Sequence, residues 1–404
     1  MKKTQRKNKK FSPVQAVYLH IPFCREICPF CSFAVCKDHS DLHSKYITEM
    51  IKEISMIAEG IRISEHKLLD SIYIGGGTPS RLSIHEYSRL LSKLREHFTC
   101  SKNVEITFEM NPEDVSPEYL KNLSKIGVNR LSLGGQSFQD SQLRKLGRFH
   151  DASDLSKACK EIINSPVRNW NIDLMFGIPS QSVSMFKKDL EDAIYNKPSH
   201  ISLYGLEIHE RTPFGKNVQI CNWVSKHHKQ YEEMYLWAVR RLKAEGIIQY
   251  EVSNFSKKGN ESRNNLLVWS GKEYIGFGAG AHSYFEGNRK GNIGSVKNYI
   301  SHLEKNILPV TFEEKLSSAQ LALEFLMLRL RTIKGVNLQE WIERFELEWG
   351  PQEEGYVNSL YNQGRAIKKD NHFCLTPKGM LIADRITVDM MPSNRSNKNI
   401  KLFF

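Results

Sequence analysis

Six short apolar segments, each followed by a stretch of helical periodicity, constrain this chain more than any other feature. They are Ala16–Ile21, Ser71–Ile74, Val104–Glu109, Arg130–Leu133, Trp170–Phe176 and Ile201–Tyr204. Five of them stop at a breaker: Gly75-Gly-Gly77, Asn111-Pro112, Gly134-Gly135, Gly177-Ile-Pro179 and Gly205. Between them apolar residues recur at helix spacing, as in Tyr46, Ile47, Met50, Ile51 and Ile54. Strand-then-helix units in succession predict a parallel α/β architecture with right-handed crossovers. Their number fits a partial (β/α)6-type barrel, in which ligands collect at the C-terminal ends of the strands.

After about residue 290 the alternation is lost. Helical patterns over 313–331 and 337–347 precede a strand-like segment, Asn371–Thr376, and a further helix from Lys378. The expected organisation is a basic tail (1–13), a barrel (14–290), a small helix-rich, winged-helix-like C-terminal domain (291–390) and a second basic tail (391–404).

The net charge of +12 suggests nucleic acid until it is located. Six of the excess positive charges lie in residues 1–10 and three in residues 391–404, leaving +3 for residues 11–390. The body of the chain therefore has no basic excess of the kind nucleic-acid binding would show. No run reaches the ~18 apolar residues of a membrane span. The basic N-terminus is not followed by the apolar segment of a secretory signal, and the expected location is cytoplasmic.

Eight cysteines are too sparse for a disulfide-stapled fold of 404 residues, yet four fall between Cys24 and Cys36. Cys24-Arg-Glu-Ile-Cys28-Pro-Phe-Cys31 lies directly after the first strand. Three thiolates in one loop can ligate three corners of a [4Fe–4S] cluster, leaving the fourth iron for the amine and carboxylate of S-adenosylmethionine, whose sulfonium such a cluster can reduce and cleave. The alternative is a closed tetrahedral zinc site completed by Cys36, His20 or His39.

Gly75-Gly-Gly77-Thr78-Pro79, one unit later, lets the backbone approach a ligand closely, although a glycine run also suits a tight βα turn. With the triplet, His20-Ile-Pro-Phe-Cys24, Glu109-Met-Asn-Pro112, Gly127-Val-Asn-Arg-Leu-Ser132, Gln136-Ser-Phe138, Leu146-Gly-Arg-Phe-His150, Asn171-Ile-Asp-Leu174 and Gly278-Ala-Gly-Ala-His-Ser283 follow in order. This series resembles the coproporphyrinogen-dehydrogenase-like branch of the radical S-adenosylmethionine (SAM) superfamily. Within that branch it is similar to the HemW-type heme chaperones. The oxygen-independent coproporphyrinogen III oxidases, which convert coproporphyrinogen III to protoporphyrinogen IX, have a fourth cysteine where this chain has Phe33.

The resemblance implies that Cys24, Cys28 and Cys31 hold the cluster. It implies that Tyr18 lies beside it and that Gly76, Gly77 and Thr78 meet the methionine amine. Glu109 is then expected to accept hydrogen bonds from the ribose hydroxyls, with Gln136, Arg148 and Asp173 completing the SAM contacts. The residues agree in part: of Glu105, Thr107 and Glu109 on one face of their strand, only Glu109 lies at its C-terminal end. Asp173 stands in an apolar run where an unpaired carboxylate is costly, and a salt bridge is the plain alternative for Asp173 and Arg148. Glu207, His209, Glu210 and His282 are weaker candidates. The implied partners are heme or porphyrin, apo-hemoproteins and an electron donor such as flavodoxin or ferredoxin, with peripheral membrane contact compatible and no nucleic acid. One departure concerns heme: where the chaperones carry a His-Asn-x-x-Tyr-Trp segment, this chain reads Asn264-Asn265-Leu-Leu-Val268-Trp269, and an amide is a poor iron ligand.

Overall fold

The computed structural model describes residues 14–60 and 68–392; the expected basic tail 1–13 and nearly all of 391–404 lie outside them. The strands, in chain order, are β1 (Ala16–Ile21), β2 (Phe23–Cys24), β3 (Cys36–Lys37), β4 (Leu68–Gly76), β5 (Thr99–Met110), β6 (Arg130–Gln136), β7 (Asn169–Phe176), β8 (His200–Gly205), β9 (Ile248–Gln249), β10 (Asn254–Ser256), β11 (Tyr274–Phe277), β12 (His282–Phe285), β13 (Asn288–Asn292), β14 (Val310–Lys315), β15 (Ala366–Lys369) and β16 (His372–Leu375).

Twelve of them form one sheet in the order β14-β13-β12-β11-β1-β4-β5-β6-β7-β8-β10-β9. From β11 through β8 neighbours run parallel, and both flanks are antiparallel. The edges β14 and β9 do not pair, so the barrel is partial, as the six units predicted. Apolar residues on the outer face of the strands, such as Ile72, Ile106, Leu131 and Ile172, pack under the crossover helices. The helix Ser40–Gly60 contributes Tyr46, Ile47, Met50 and Ile54 from one stripe, and Ile84–His97 contributes Tyr87, Leu90, Leu91 and Leu94. The latter starts at a capping box: Ser83 accepts from the Glu86 amide, and the Glu86 carboxylate accepts from the Ser83 amide.

The inner face is polar. Glu105, Thr107, Arg130, Ser132, Asn171, His200 and Ser202 are all buried in it. A neutral imidazole links them: His200 Nδ1 meets Asn171 Oδ1 at 2.7 Å and Nε2 meets the Tyr250 hydroxyl at 2.8 Å. Burial holds this histidine well below its ordinary pKa.

The barrel core continues past 290: Val296, Tyr299, Ile300 and Leu303 pack into it, and β13 and β14 extend the sheet to Lys315. The helical pattern read over 313–331 begins only at Ser318; Glu313, Glu314 and Lys315 pair with β13 instead, through a Lys290–Glu313 ion pair among other contacts. Beyond it, helices Ser318–Leu330, Leu338–Phe345 and Pro351–Asn362 and the β15–β16 hairpin enclose a second, helix-rich core around Trp341. That core is tied to the barrel by backbone bonds from Val252 N–H to Arg331 O and from Ile333 N–H to Tyr250 O.

Candidate functional site

A cavity of about 620 Å³ opens between the C-terminal ends of the barrel strands and the C-terminal core. Cys24, Cys28 and Cys31 line it, with Gly76, Gly77, Thr78, Glu109, Gln136, Arg148 and Asp173. Ten of the eleven residues expected at the site thus share one space. Tyr18 does not line it: its hydroxyl turns to His20 Nδ1 at 3.2 Å and its ring stacks on Tyr73 at 6.0 Å. Tyr18 therefore reaches the site through Tyr73, whose hydroxyl donates to Glu109 Oε1 at 2.6 Å.

The cysteine loop hangs from a short parallel pairing, in which Phe23 and Cys24 face Cys36 and Lys37. The glycine run fits beneath it. The Thr78 amide donates to Phe23 O at 2.8 Å, and a Cβ on Gly77 would approach Cys24 Sγ to 2.9 Å. Gly76 takes φ +118°, and a Cβ there would strike the His20 ring at 2.7 Å. Here glycine is a requirement of close approach as well as of the turn.

A continuous arc of hydrogen bonds joins two thiols of the triplet. The Thr78 hydroxyl lies 3.7 Å from Cys24 Sγ, Asn111 Nδ2 donates to Thr78 Oγ1 at 3.1 Å, and Arg148 Nη2 donates to Asn111 Oδ1 at 2.6 Å. Arg148 Nη1 then reaches Cys28 Sγ at 3.5 Å, while Nη2 also meets Gly134 O at 3.1 Å. Arg148 Nε is buried and has no partner. Burial pushes the Cys24 thiol up to about 12 against the lowering effect of the Thr78 hydroxyl. Bound metal cations reverse that preference and hold the thiolate.

Glu109 accepts from Tyr73 and from the Gly76 amide at 3.1 Å, yet burial, with Asp173 nearby, pushes it up to about 7. Asp173 is held by neutral donors, Asn171 Nδ2 at 2.6 Å and Ser132 Oγ at 3.3 Å, and burial raises it too. The plain salt-bridge reading of Asp173 and Arg148 is thus replaced: the carboxylate is bonded by an amide and a hydroxyl, the guanidinium by a thiol, an amide and a carbonyl. Gln136 adopts φ +64°, a left-handed conformation uncommon for a side-chain-bearing residue, where β6 meets the cavity.

No three thiol, imidazole or carboxylate groups among the described residues converge on a single ion. The three thiols are instead strung along one loop facing the cavity, which suits a multi-iron cluster with one thiolate per iron better than one zinc ion. The candidate fourth zinc ligands are engaged elsewhere or off the cavity wall. His20 Nε2 donates to Ala34 O at 2.8 Å while its Nδ1 faces Tyr18. Cys36 and His39 do not line the cavity.

Among the weaker candidates, Glu207 and His209 line the cavity and Glu210 does not. His282 lies on β12 against Phe312, off the cavity. Asn264 belongs to the helix Arg263–Trp269, whose first amides bond Glu105, and it too is off the wall. Asn111 bridges the two halves of the arc but was not expected as a site residue; its only sequence signal was its place in Glu109-Met-Asn-Pro112.

The radical SAM superfamily model matches residues 18–193, and the HemN C-terminal domain model matches residues 316–382. The chain is 32% identical over 375 residues to the heme chaperone HemW of Bacillus subtilis, covering 92% of this chain and 98% of that protein. It is 32% identical to the Haemophilus influenzae heme chaperone HemW over 93% of this chain and 97% of that protein. In structure it is similar to the radical SAM coproporphyrinogen III oxidase HemN of Escherichia coli, with a TM-score of 0.78 at 20% identity over 94% of this chain and 90% of that one. By sequence, the chain belongs to the HemW heme-chaperone family of radical SAM proteins.

Proposed function

We propose that this chain holds a [4Fe–4S] cluster on Cys24, Cys28 and Cys31, binds S-adenosylmethionine beside it, and carries heme in the remaining cavity for delivery to apo-hemoproteins. Radical SAM membership implies the cluster and SAM. The observation that carries the residue-level reading is the arc from Cys24 through Thr78, Asn111 and Arg148 to Cys28. It points one hydroxyl and one guanidinium at two thiols, an arrangement that stabilises thiolates and sulfides of an anionic centre. When bound, the cluster supplies one electron at the sulfonium of SAM.

The chain's own groups do the rest. Gly76, Gly77 and Thr78 offer backbone atoms to the methionine amine, and Glu109 and Asp173 are acceptors for hydroxyl and amine protons. Arg148 and Gln136 are donors for a carboxylate. Burial raises both carboxyls, and a further donor or cation close by favours their charged forms.

For heme, the cavity supplies the apolar and aromatic side chains of Phe30, Met175, Tyr231 and Met380, and among the described residues its only lining imidazole is His209. His209, rather than Asn264, is the nitrogen ligand this reading assigns to the iron. No helix among the described residues is long and apolar enough to cross a membrane. A cytoplasmic protein reduced by a flavodoxin or ferredoxin, with at most peripheral membrane contact, completes the proposal.

The test is anaerobic reconstitution followed by electron paramagnetic resonance (EPR) with and without SAM, and by heme titration. The expected result is a cluster signal altered by SAM and a saturable heme spectrum. A chain that retains no iron overturns the proposal. Stoichiometric protoporphyrinogen IX from coproporphyrinogen III would replace delivery with oxidation, against the exposed Phe33 (68%) in the oxidase's fourth-cysteine position.

A further inference from the structure

Glu53 occupies the middle of the helix Ser40–Gly60 and is 0% exposed. A carboxylate there is costly unless bonded, and three donors converge on it. Oε2 accepts from the Gly278 amide at 2.9 Å and from the Tyr299 hydroxyl at 2.5 Å, and Oε1 accepts from Asn292 Nδ2 at 2.6 Å. Asn292 also donates to Gly278 O at 3.0 Å. From the same helix, the Tyr46 hydroxyl accepts from the Ala279 amide and donates to His20 O, both at 2.8 Å. One helix thus captures two consecutive amides of the Gly278–Ala281 turn.

The other side of that turn touches the cysteine loop. Gly280 has φ +75°, and a Cβ on it would come within 2.3 Å of the Ala34 Cβ. Ala34 lies three residues beyond Cys31, and its carbonyl is held by His20 Nε2 at 2.8 Å. The turn therefore abuts the end of the loop from one side while His20 holds it from another. An apolar side chain at position 53 would leave these three donors without their acceptor; the carboxylate satisfies them and so gives the turn a fixed position.

We propose that Glu53 is a positioning residue for the cysteine loop: by fixing the Gly278–Ala281 turn it sets where Ala34, and hence Cys31, stands relative to Cys24 and Cys28. The cluster part of this inference rests on the function proposed above, whereas the mechanical part concerns the polypeptide alone.

The test uses the full chain with Glu53→Gln, whose amide must turn a donor toward a donor, and Tyr299→Phe, which removes one hydroxyl and keeps the ring. Ile54→Val, a methyl deletion on the adjacent buried residue, is the control for general destabilisation. Hydrogen exchange at the Val35 and Cys36 amides should rise about fivefold or more in both test variants and stay unchanged in the control. After reconstitution, the EPR change produced by SAM should be shifted or diminished in Glu53→Gln. Unchanged exchange and an unchanged EPR response alongside a lowered Tm would overturn the inference and leave Glu53 a core residue only. If Glu53→Gln does not fold, Tyr299→Phe decides by the same readouts. A wild-type chain with no SAM-dependent signal would count against the proposed function, while the exchange experiment would still test the clamp.

Discussion

Arg148 Nη1 lies 3.5 Å from Cys28 Sγ across 120 residues of sequence, and the same guanidinium grips Asn111 and the Gly134 carbonyl. A planar fork serves these three acceptors at once; an ammonium on a flexible stem does not. Arg148→Lys should therefore keep the positive charge and the cluster but weaken SAM binding about tenfold, and Arg148→Ala should weaken it more, as expected for charge-assisted bonds of roughly 1.5–3 kcal/mol. Titrating SAM against the EPR signal of the reduced cluster measures this. Equal affinity in Lys and wild type would show that charge alone matters there.

The four clustered cysteines should separate into two classes. Cys24, Cys28 and Cys31 line the cavity; Cys36 pairs with Phe23 in the β2–β3 ladder and does not. Alanine at any of the first three should abolish iron retention after reconstitution. Cys36→Ala should retain it, with a small loss of Tm. Iron and sulfide analysis of the four variants decides, and loss of iron in Cys36→Ala would mean a fourth protein ligand.

How much of this was legible beforehand depended on whether the signal was local. The ends of β7 at Gly177 and β8 at Gly205 announce themselves because glycine punctuates the chain, and β1 matches its apolar run, whereas β4 runs through Gly75 to Gly76 and β6 through Gly134 to Gln136. β5 begins at Thr99 rather than Val104, because the polar Ser101–Asn103 extends a strand whose first residues pair with Leu68 and Leu69. β14 was read as helix since Phe312 and the charges after it fit both periods; only its pairing with β13 settles it. The same holds at the site. The place of Glu109 on the cavity wall followed from strand alternation, whereas the side chain of Tyr18 stacks on Tyr73 and turns to His20, contacts that alternation does not encode. Asn111 matters through a contact with Arg148 that no local pattern encodes.

Glu251 offers a test of the buried carboxyls by pH. Burial pushes it from the ordinary 4.5 to about 7, outweighing bonds from Asn254 and Ser253 and the charge of Arg331. Between those values the folded chain binds a proton that the unfolded chain releases. Stability is therefore greatest below the unfolded value and declines as pH rises through the folded one, by up to about 3 kcal/mol for this group. Wild-type Tm should fall between about pH 5 and pH 7.5, and Glu251→Gln should flatten part of that fall. An identical slope in the variant would assign the whole decline to the other raised carboxyls, Glu53, Glu105, Glu109, Asp114, Asp173, Asp189 and Glu273.

The heme proposal turns on two residues with opposite expectations. His209 follows β8 on the cavity wall, with Glu207 Oε2 3.8 Å from its Nε2. Asn264 begins a helix whose amides are spent on Glu105, and it is absent from that wall. Removing the imidazole with His209→Ala should shift the heme Soret band and weaken binding about tenfold or more, because an iron–nitrogen bond is lost. Asn264→Ala should leave band and affinity unchanged. Glu207→Gln should move the band less than His209→Ala does, since a nearby carboxylate tunes an imidazole without replacing it. Difference spectra during heme titration of the three variants measure all of this together. A Soret shift in Asn264→Ala with none in His209→Ala would move the heme site out of the cavity and onto the helix at the opposite end of the barrel interior.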